Sequence, residues 1–529
     1  MSEFFLELFS EEIPSNLQKN LRENLLKSFN EFFLEKSIKF KKNSSYSTPN
    51  RLLVLFEGVE KQIVLKSKEI KGPNTKSPDA ALEGFARSSG VSKKELFIKK
   101  TDKGEFYFYK TRSKKLDTHT LLEESIPQIL NKIQWKKSMK WSNYELFWGR
   151  PLKSILSIFD KKKLNFKFHH LISSNSTFVD KEFEEKKKLF SDFKSYKNFF
   201  KKKDIVIDHI ERKDLIEKKF DIILKKRNIN IDSNPKLLQE VVDLTDQPNV
   251  IVCEFDKKFL NIPKEILILT MQHHQKYFPT FDKKGNITNQ FLVVANNKDK
   301  KGLIKLGNER VVEARLSDAE FFWQKDKAQN MVKKISDLKL MNYFKGLGNY
   351  FDKAQRMRKL GAIISDELLI SKEKVELSAS ISKVDLLSEL VGEFPELQGI
   401  MGGYFANVQG FDKELSLAIS EQYLPVGSGT KIPKKPYSIA LSLADKIDTL
   451  VGFFGVNQKP TSSKDPFALR RLALGIVRII IENKKDFKIR DLINYSSSLY
   501  QDQGFEFENK SLQKELLDFL LERLKYYMK

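Results

Sequence analysis

The chain has 529 residues, a length that predicts about three or four domains. Its formal net charge is +24, and a basic surface attracts polyanions such as nucleic acid, although surplus lysine on solvated surfaces would explain the same charge. The single cysteine, Cys253, excludes an internal disulfide. The first twelve residues lack the basic segment of a signal peptide, and no apolar run reaches about 18 residues. Composition therefore predicts a soluble, cytoplasmic protein.

The first third of the chain alternates strand and helix patterns. Leucine and phenylalanine recur every three or four residues over 17–33, after Pro14, and predict an amphipathic helix. Apolar runs predict strands at 4–9, 52–56, 105–111, 154–159 and 164–168. This mixture favours an α+β arrangement over a regular parallel array. We predict an N-terminal α+β domain over 1–165.

A very basic stretch follows, with lysine triplets at 161–163, 186–188 and 201–203. Such runs are usually solvated surfaces, and contact with phosphate is the less frequent alternative. Further on, apolar runs predict strands at 249–255 and 291–295, and a helix is predicted over 311–323. We predict a second α+β domain over 166–334 that includes this basic junction.

Almost all of the sequence from 335 onward has a helical pattern that glycine and proline interrupt. It predicts an all-helical domain over 335–500 and the start of another helical domain over 501–529. The last amphipathic segment, 512–527, has no cap signal after it, so the chain is expected to end inside a domain. The predicted fold class is multidomain α+β, with the helical portion last.

The sequence lacks the motifs of several enzyme classes. It has no phosphate-binding Gly-x-x-x-x-Gly-Lys loop, no dinucleotide Gly-x-Gly-x-x-Gly and no Gly-x-Ser-x-Gly nucleophile elbow. Its six histidines all precede residue 275, so the helical portion alone cannot supply imidazole ligands to a catalytic metal. Histidines stand next to each other at 169–170 and 273–274, where neighbouring side chains point apart. A polar or stacked role is therefore favoured over metal binding.

The strongest local motif runs from Lys464 to Arg471. Asp465 is predicted to cap a helix whose first residue is Pro466. Helical spacing then puts Arg471, Gly475 and Arg478 on one face, where a glycine would let a phosphodiester approach the backbone. The candidates for RNA contact are Lys464, Arg470, Arg471 and Arg478.

An intramolecular alternative exists for two of these arginines. The carboxylates of Asp445 and Asp448 could pair with Arg470 or Arg471 instead of leaving them to RNA. We favour this alternative for Arg470, and for Arg471 both interpretations stay open.

Long motifs follow one another along the chain. They are ELFSEEIP at 7–14, TPNRL at 48–52, GNERVV at 307–312, RLSDAEFF at 315–322, SKVDL at 382–386, GEFPELQGIMG at 392–402, ADKIDTLVG at 444–452 and SKDPFALRR at 463–471. In content and order they resemble the β subunit family of bacterial two-subunit glycyl-tRNA synthetases. The resemblance implies that the chain binds and positions tRNA(Gly) for ATP-dependent glycylation. It also implies that two such chains join two α subunits in an α₂β₂ tetramer.

In that family the α subunit holds the site for ATP, magnesium and glycine. The resemblance therefore implies no catalytic residue, cofactor or metal on this chain and no activity without its partner. It also implies a helical domain related to His-Asp (HD) phosphohydrolases, with Val384-Asp385 at the His-Asp position and Asp445 at that of the last metal ligand. Because the imidazoles are missing, this degenerate HD-like domain is interpreted as a scaffold for RNA.

Two features depart from the family pattern. The stretch 176–180 stands where the family has a Gly-His-Arg-Phe-like element. Residues 516–524 resemble the start of the family's C-terminal anticodon-binding domain, so the resemblance implies a chain cut short there. Two other functions remain as alternatives, a stand-alone RNA-binding protein and a metal phosphohydrolase of the HD type. The absence of histidine after 274 counts against the second.

Overall fold

The computed structural model describes residues 2–65, 69–102, 104–111, 114–179, 187–462, 464–507 and 511–529. Residue 180 of the 176–180 stretch, Lys186 of the second lysine triplet and Ser463 of the motif at 463–471 lie outside these ranges. The chain divides into two compact units, one of 1–254 with 276–308 and one of 255–275 with 309–529. The domain limits predicted from sequence at 165, 334 and 500 stay predictions.

The first unit combines antiparallel sheets with helices. Its strands are β1 (Glu3–Ser10), β2 (Lys42–Thr48), β3 (Arg51–Glu57), β4 (Gln62–Leu65), β5 (Glu69–Asn74), β6 (Leu96–Thr101), β7 (Gly104–Lys110), β8 (Lys114–Asp117), β9 (Leu152–Phe159), β10 (Lys162–Lys163), β11 (Lys167–Phe168), β12 (Leu171–Ile172), β13 (Ser176–Phe178), β14 (Lys187–Leu189), β15 (Asn230–Ile231), β16 (Asn249–Glu254), β17 (Phe278–Phe281) and β18 (Ile287–Ala295). Its helices are α1 (Ser15–Glu35), α2 (Asp79–Ser89), α3 (Thr118–Asn131), α4 (Phe193–Lys202), α5 (His209–Arg227) and α6 (Pro235–Leu244).

The central sheet has the strand order β10-β9-β1-β3-β2, and both of its faces are buried. Successive side chains of β1 point to opposite faces, so Phe4 packs with Phe29 and Phe33 of α1, whereas Phe5 packs with Tyr196 of α4. Burial on both sides explains why five of the six residues over 4–9 are apolar. The predicted strands at 4–9 and 52–56 are confirmed as β1 and β3.

A second sheet, of order β15-β17-β18-β16, has its own core with α5 and α6. Phe220 of α5 packs edge-on against Phe278 of β17, with ring centroids 4.9 Å apart. In one smaller sheet β4 pairs with β8. In another, β7 lies between β5 and β6 and pairs with both. The predicted strand at 164–168 is wrong in length, because only Lys167–Phe168 pairs there, in a two-residue ladder with β12. The basic junction predicted from sequence contains α4 and α5.

The described residues of the second unit form α-helices, short 3₁₀ turns and one π turn at Thr270–His274. The α-helices from this point of the chain on are α7 (Lys264–Leu269), α8 (Leu303–Lys327), α9 (Tyr350–Leu368), α10 (Lys372–Ile381), α11 (Glu389–Glu393), α12 (Ile400–Val408), α13 (Lys413–Glu421), α14 (Pro436–Gly455), α15 (Leu469–Glu482), α16 (Ile489–Asp502) and α17 (Leu512–Met528). Among the helices described, none is long and apolar enough to cross a membrane.

Helix α14 is the centre of the second unit. Every residue of α14 after Pro436 is buried, and α9, α10, α13, α15, α16 and α17 all pack on it. Such a helix is expected to be apolar all round, yet α14 contains Asp445, Lys446 and Asp448. These three charged side chains must find their partners inside the protein.

Candidate functional site

The motif at 464–471 forms a capped helix start, as the sequence predicts, but α15 begins later than predicted. Its first residue is Leu469, three residues after Pro466, and Ala468 before it adopts a left-handed conformation with φ 54°. Asp465 still caps the helix, because its Oδ1 accepts the N–H of Leu469 at 2.9 Å and its Oδ2 accepts that of Arg470 at 3.1 Å. The side chain of Asp465 therefore fixes the first turn of α15 from a position four residues before Leu469.

The residues of this segment differ in what their side chains can reach. Arg470 donates from Nη2 to the carbonyl of Thr461 at 2.7 Å and lies 3.9 Å from Asp465. Lys464 and Arg471 are exposed, and within the described part of the chain no carboxylate pairs with Arg471. The ring of Phe467 packs 4.4 Å from that of Phe453 and so anchors the segment on α14. The segment thus presents cations from a fixed backbone.

The shared exposed face predicted for Arg471, Gly475 and Arg478 is wrong. Gly475 is buried against the Lys446 side chain, and a Cβ at this position would stand 3.1 Å from Lys446 Cε. Arg478 is 7% exposed, and its guanidinium donates to the carbonyls of Gly427 and Thr430 at 2.9 and 2.8 Å. Helical spacing does bring the three positions to one side of α15. Only Arg471, in the first turn, is exposed, because Lys446 covers Gly475 and the segment 427–430 covers Arg478. Contact of Lys464, Arg470 and Arg471 with RNA stays a prediction. So does contact of Arg478, which would have to give up these bonds to the two carbonyls in order to reach RNA.

Beneath this segment, the charged residues of α14 belong to a buried ionic network. Lys383 and Lys353 hold their Nζ atoms 2.7 and 3.4 Å from Oδ1 of Asp445. Lys353 also lies 3.1 Å from Asp448, which accepts the Nε–H of Arg356 at 2.7 Å. All five side chains are at least nine-tenths buried. Removal of either aspartate would leave buried cations without their counter-charge in the interior.

Asp385 stands apart from these ion pairs. Its Oδ2 accepts the N–H groups of Gly399 and, at 3.2 Å, Gly402, and so fixes the loop before α12. Its Oδ1 is buried and has no hydrogen-bond partner among the described residues. Burial raises the pKa of this carboxyl to about 6, because the two backbone donors offset only part of the desolvation.

The network shifts the pKa values of its other members in opposite directions. Burial alone would raise the pKa of Asp445, but the ammonium groups of Lys353 and Lys383 outweigh it and hold that pKa well below its usual range. Burial lowers the pKa of Lys446 to about 7, since its Nζ reaches only the Ser442 hydroxyl, at 2.7 Å, and the carbonyl of Gln422, at 3.3 Å. Lys446 therefore lacks the direct carboxylate contact that its neighbours have.

The pairing of Asp445 and Asp448 with these arginines, which the sequence favoured for Arg470 and left open for Arg471, is wrong. Asp445 instead pairs with Lys353 of α9 and with Lys383 of the turn before α11. Asp448 pairs with Lys353 and Arg356, both of α9. Sequence reasoning missed Lys353, Arg356 and Lys383. The available signal was the apolar stretch 439–454 with three charged residues in it, which requires buried partners but does not identify them.

The paired histidines make polar and ring contacts. His170 stacks on Tyr144 with ring centroids 3.6 Å apart, and His169 Nε2 lies 3.2 Å from the side-chain oxygen of Asn131. On the π turn, His273 lies 3.6 Å from Glu396, and the His274 ring is 5.5 Å from that of Phe394. Within the described ranges no three His, Cys, Asp or Glu side chains converge as metal ligands.

Comparison with known proteins identifies the class. A family model described as glycyl-tRNA synthetase beta subunit matches residues 4–529. The glycine–tRNA ligase beta subunit of Rickettsia akari (strain Hartford) is 38% identical over 531 residues, which cover 100% of this chain and 78% of the relative. That of Rickettsia conorii (strain ATCC VR-613 / Malish 7) is 39% identical over 530 residues, with the same coverage. These matches define a subunit of an aminoacyl-tRNA synthetase.

The chain belongs to the glycyl-tRNA synthetase β subunit family. Its function is that of the β subunit of glycine–tRNA ligase, in the aminoacylation step of translation. The resemblance found in the motifs is thus confirmed over nearly the whole chain.

Proposed function

We propose that the chain binds tRNA(Gly) and positions it for glycylation, while a separate α subunit binds ATP, magnesium and glycine. The name "beta subunit" of its relatives supports the need for such a partner. The absence of nucleotide-binding motifs from the sequence is consistent with this division of labour. The proposed assembly is an α₂β₂ tetramer in the cytoplasm, and its mass in solution, measured by light scattering, tests the stoichiometry.

Lys464, Arg470 and Arg471 are the proposed tRNA contacts. The observation that favours them most is the exposed guanidinium of Arg471, which pairs with no carboxylate among the residues that the structure describes. A guanidinium presents a planar fork of donors that matches phosphate oxygens. The Asp465 cap and the Phe467 anchor reduce the entropy that binding would cost, because they fix the backbone from which these side chains project. Arg478 is left out of the proposal, since its donors are used inside the protein.

The deciding experiment compares glycylation of tRNA(Gly) by the purified α subunit alone with glycylation by α and this chain together. We expect the charged tRNA to accumulate only in the mixture. We also expect the chain alone to give no glycine-dependent exchange of pyrophosphate into ATP. Exchange by the chain alone that persists after depletion of all traces of α would contradict the proposal.

The helical portion is proposed to be a degenerate HD-like scaffold without a catalytic metal. The supporting observation is that two lysine ammonium groups contact Asp445, the residue that the resemblance aligns with a metal ligand. These fixed cations supply the positive charge that a carboxylate otherwise takes from a metal ion. Elemental analysis after gel filtration tests the proposal. One tightly held transition metal per chain that is lost in Asp445→Asn would refute it.

A further inference from the structure

The proposed function assigns no role to a lysine-rich surface of the first unit. Helix α4 buries Phe193, Tyr196 and Phe200, and this spacing turns its lysines outward. Strand β14 adds two more exposed lysines beside it. We use the name α4 basic surface for the exposed side chains of Lys187, Lys188, Lys194, Lys201, Lys202 and Lys203.

The charge on this surface is not neutralised by the described residues. Neighbouring lysines do have partners, since Lys197 pairs with Glu211 and Lys298 with Asp204. Within the described ranges, the six lysines of the α4 basic surface form no ion pair. Mutual repulsion among six lysines that have no paired carboxylate in the described ranges costs free energy, and a bound polyanion would remove that cost.

An aromatic ring lies among these lysines. Phe199 is half-buried, with Lys188 Nζ and Lys203 Nζ each 5.8 Å from its ring centroid. The ring rests on Phe190 and lines a shallow cleft of about 290 Å³ whose rim includes Ser195 and Asn198. Cations around an aromatic platform, with amide and hydroxyl groups nearby, are what single-stranded nucleic acid requires for backbone contact and base stacking.

We propose that the α4 basic surface is an RNA-binding surface, in which the lysines contact the phosphodiester backbone and Phe199 stacks an unpaired base. The proposal rests on the proposed function, because tRNA is the RNA that it would bind. An anionic membrane is disfavoured, since a helix that lies on a membrane inserts an apolar face. The apolar face of α4 is instead buried in the core of the unit.

The first test removes charge from this surface and, in a control, from another helix of the same unit. Lys201→Ala/Lys202→Ala changes α4, and Lys19→Ala/Lys27→Ala removes two exposed charges from α1. Binding of tRNA(Gly) by the full chain with its α subunit is measured over a range of salt concentrations. We expect the slope of log Kd against log salt to fall by roughly 1.4 to 2 in the α4 variant and to stay unchanged in the control.

The second test concerns the ring. Phe199→Leu keeps an apolar side chain against Phe190 but removes the flat surface for a base. We expect it to weaken binding of a single-stranded oligoribonucleotide by about fivefold or more, with an unchanged salt slope. The melting temperature is measured for each variant, and Lys201→Gln/Lys202→Gln replaces the alanine pair if that variant does not fold.

The outcomes separate the two proposals. Equal salt slopes in the α4 and α1 variants, with tight binding of tRNA by the unchanged chain, would overturn the RNA assignment and leave the proposed function intact. Failure of the unchanged complex to bind tRNA would overturn both. If the α4 variant instead loses affinity only for vesicles that contain phosphatidylserine, the surface binds membranes and the proposal is wrong.

Discussion

Arg356 of α9 and Asp448 of α14 form an ion pair whose two side chains are at most 1% exposed, with Nε 2.7 Å from Oδ1. The guanidinium also donates to the Gln503 side chain at 2.6 Å, and the Tyr500 hydroxyl lies 3.3 Å from Oδ2 of Asp448. Both charges are therefore taken out of water, and each depends on the other for compensation. The stability of the helical unit should respond strongly when one of them is removed.

Asp448→Asn is expected to lower the free energy of unfolding of the helical unit by about 3–5 kcal/mol, because Arg356 and Lys353 lose a buried counter-charge. Urea denaturation followed by circular dichroism measures this change. The control is Glu31→Gln, which breaks an exposed pair with Lys27 whose side chains are 66% and 74% exposed. Exposed pairs contribute little, so the control should match the unchanged chain. A loss below about 1 kcal/mol in Asp448→Asn would mean that water reaches the pair.

The free energy of unfolding is expected to depend on pH through the ionisation of Lys446. Its pKa is about 7 in the folded chain and is expected near the ordinary 10.5 when unfolded, so between these values the unfolded chain binds more protons. The contribution of Lys446 to stability therefore rises with pH across this window. Relative to Lys446→Met, the unchanged chain should gain about 1.4 kcal/mol per pH unit between about 7 and 10.

Urea titrations of both proteins at several pH values measure this difference. Groups that do not interact with Lys446 contribute equally to both proteins and cancel. A difference that does not vary with pH would show that Lys446 stays charged in the folded state.

Gly475→Ala and Gly307→Ala are expected to have opposite effects. A Cβ at 475 would meet Lys446 Cε at 3.1 Å and Pro425 Cδ at 3.5 Å, whereas nothing lies within 4 Å of one at 307. The Lys446 stem is held at its end by Ser442, so it cannot move aside freely. We expect Gly475→Ala to cost about 1–3 kcal/mol. Gly307→Ala should gain about 0.5–1 kcal/mol by the helix propensity of alanine. Thermal unfolding measures both, and a stabilised Gly475→Ala would refute the contact.

Arg471→Ala and Arg478→Ala should separate RNA binding from folding. The first is expected to reduce the salt slope of tRNA binding by about 1 and to leave the melting temperature unchanged. The second leaves the carbonyls of Gly427 and Thr430 without their donor and should cost about 1–3 kcal/mol of stability at an unchanged slope. A lowered melting temperature with an unchanged slope in Arg471→Ala would contradict its assignment to RNA.

The sequence predicted what depends on local pattern. The apolar runs of β1 and β3 and the spacing of Leu21, Leu25 and Phe29 in α1 specify their elements, because burial repeats with the period of the backbone. The start of α15 was misplaced because Ala468 adopts a left-handed conformation that no local signal requires. The partners of Asp448 were not predictable, since Arg356 lies 92 residues away and a lone sequence contains no record of such distant contacts.

No residue of α14 after Pro436 is exposed to solvent, because six other helices enclose this helix. A fragment of the unit without α9 would leave Asp448 facing an incomplete interior, and we expect it to aggregate. The amide protons of α14 should accordingly exchange with solvent only when the whole unit opens, and so share one opening free energy. The helices around α14 are therefore expected to unfold together in one transition rather than one after another.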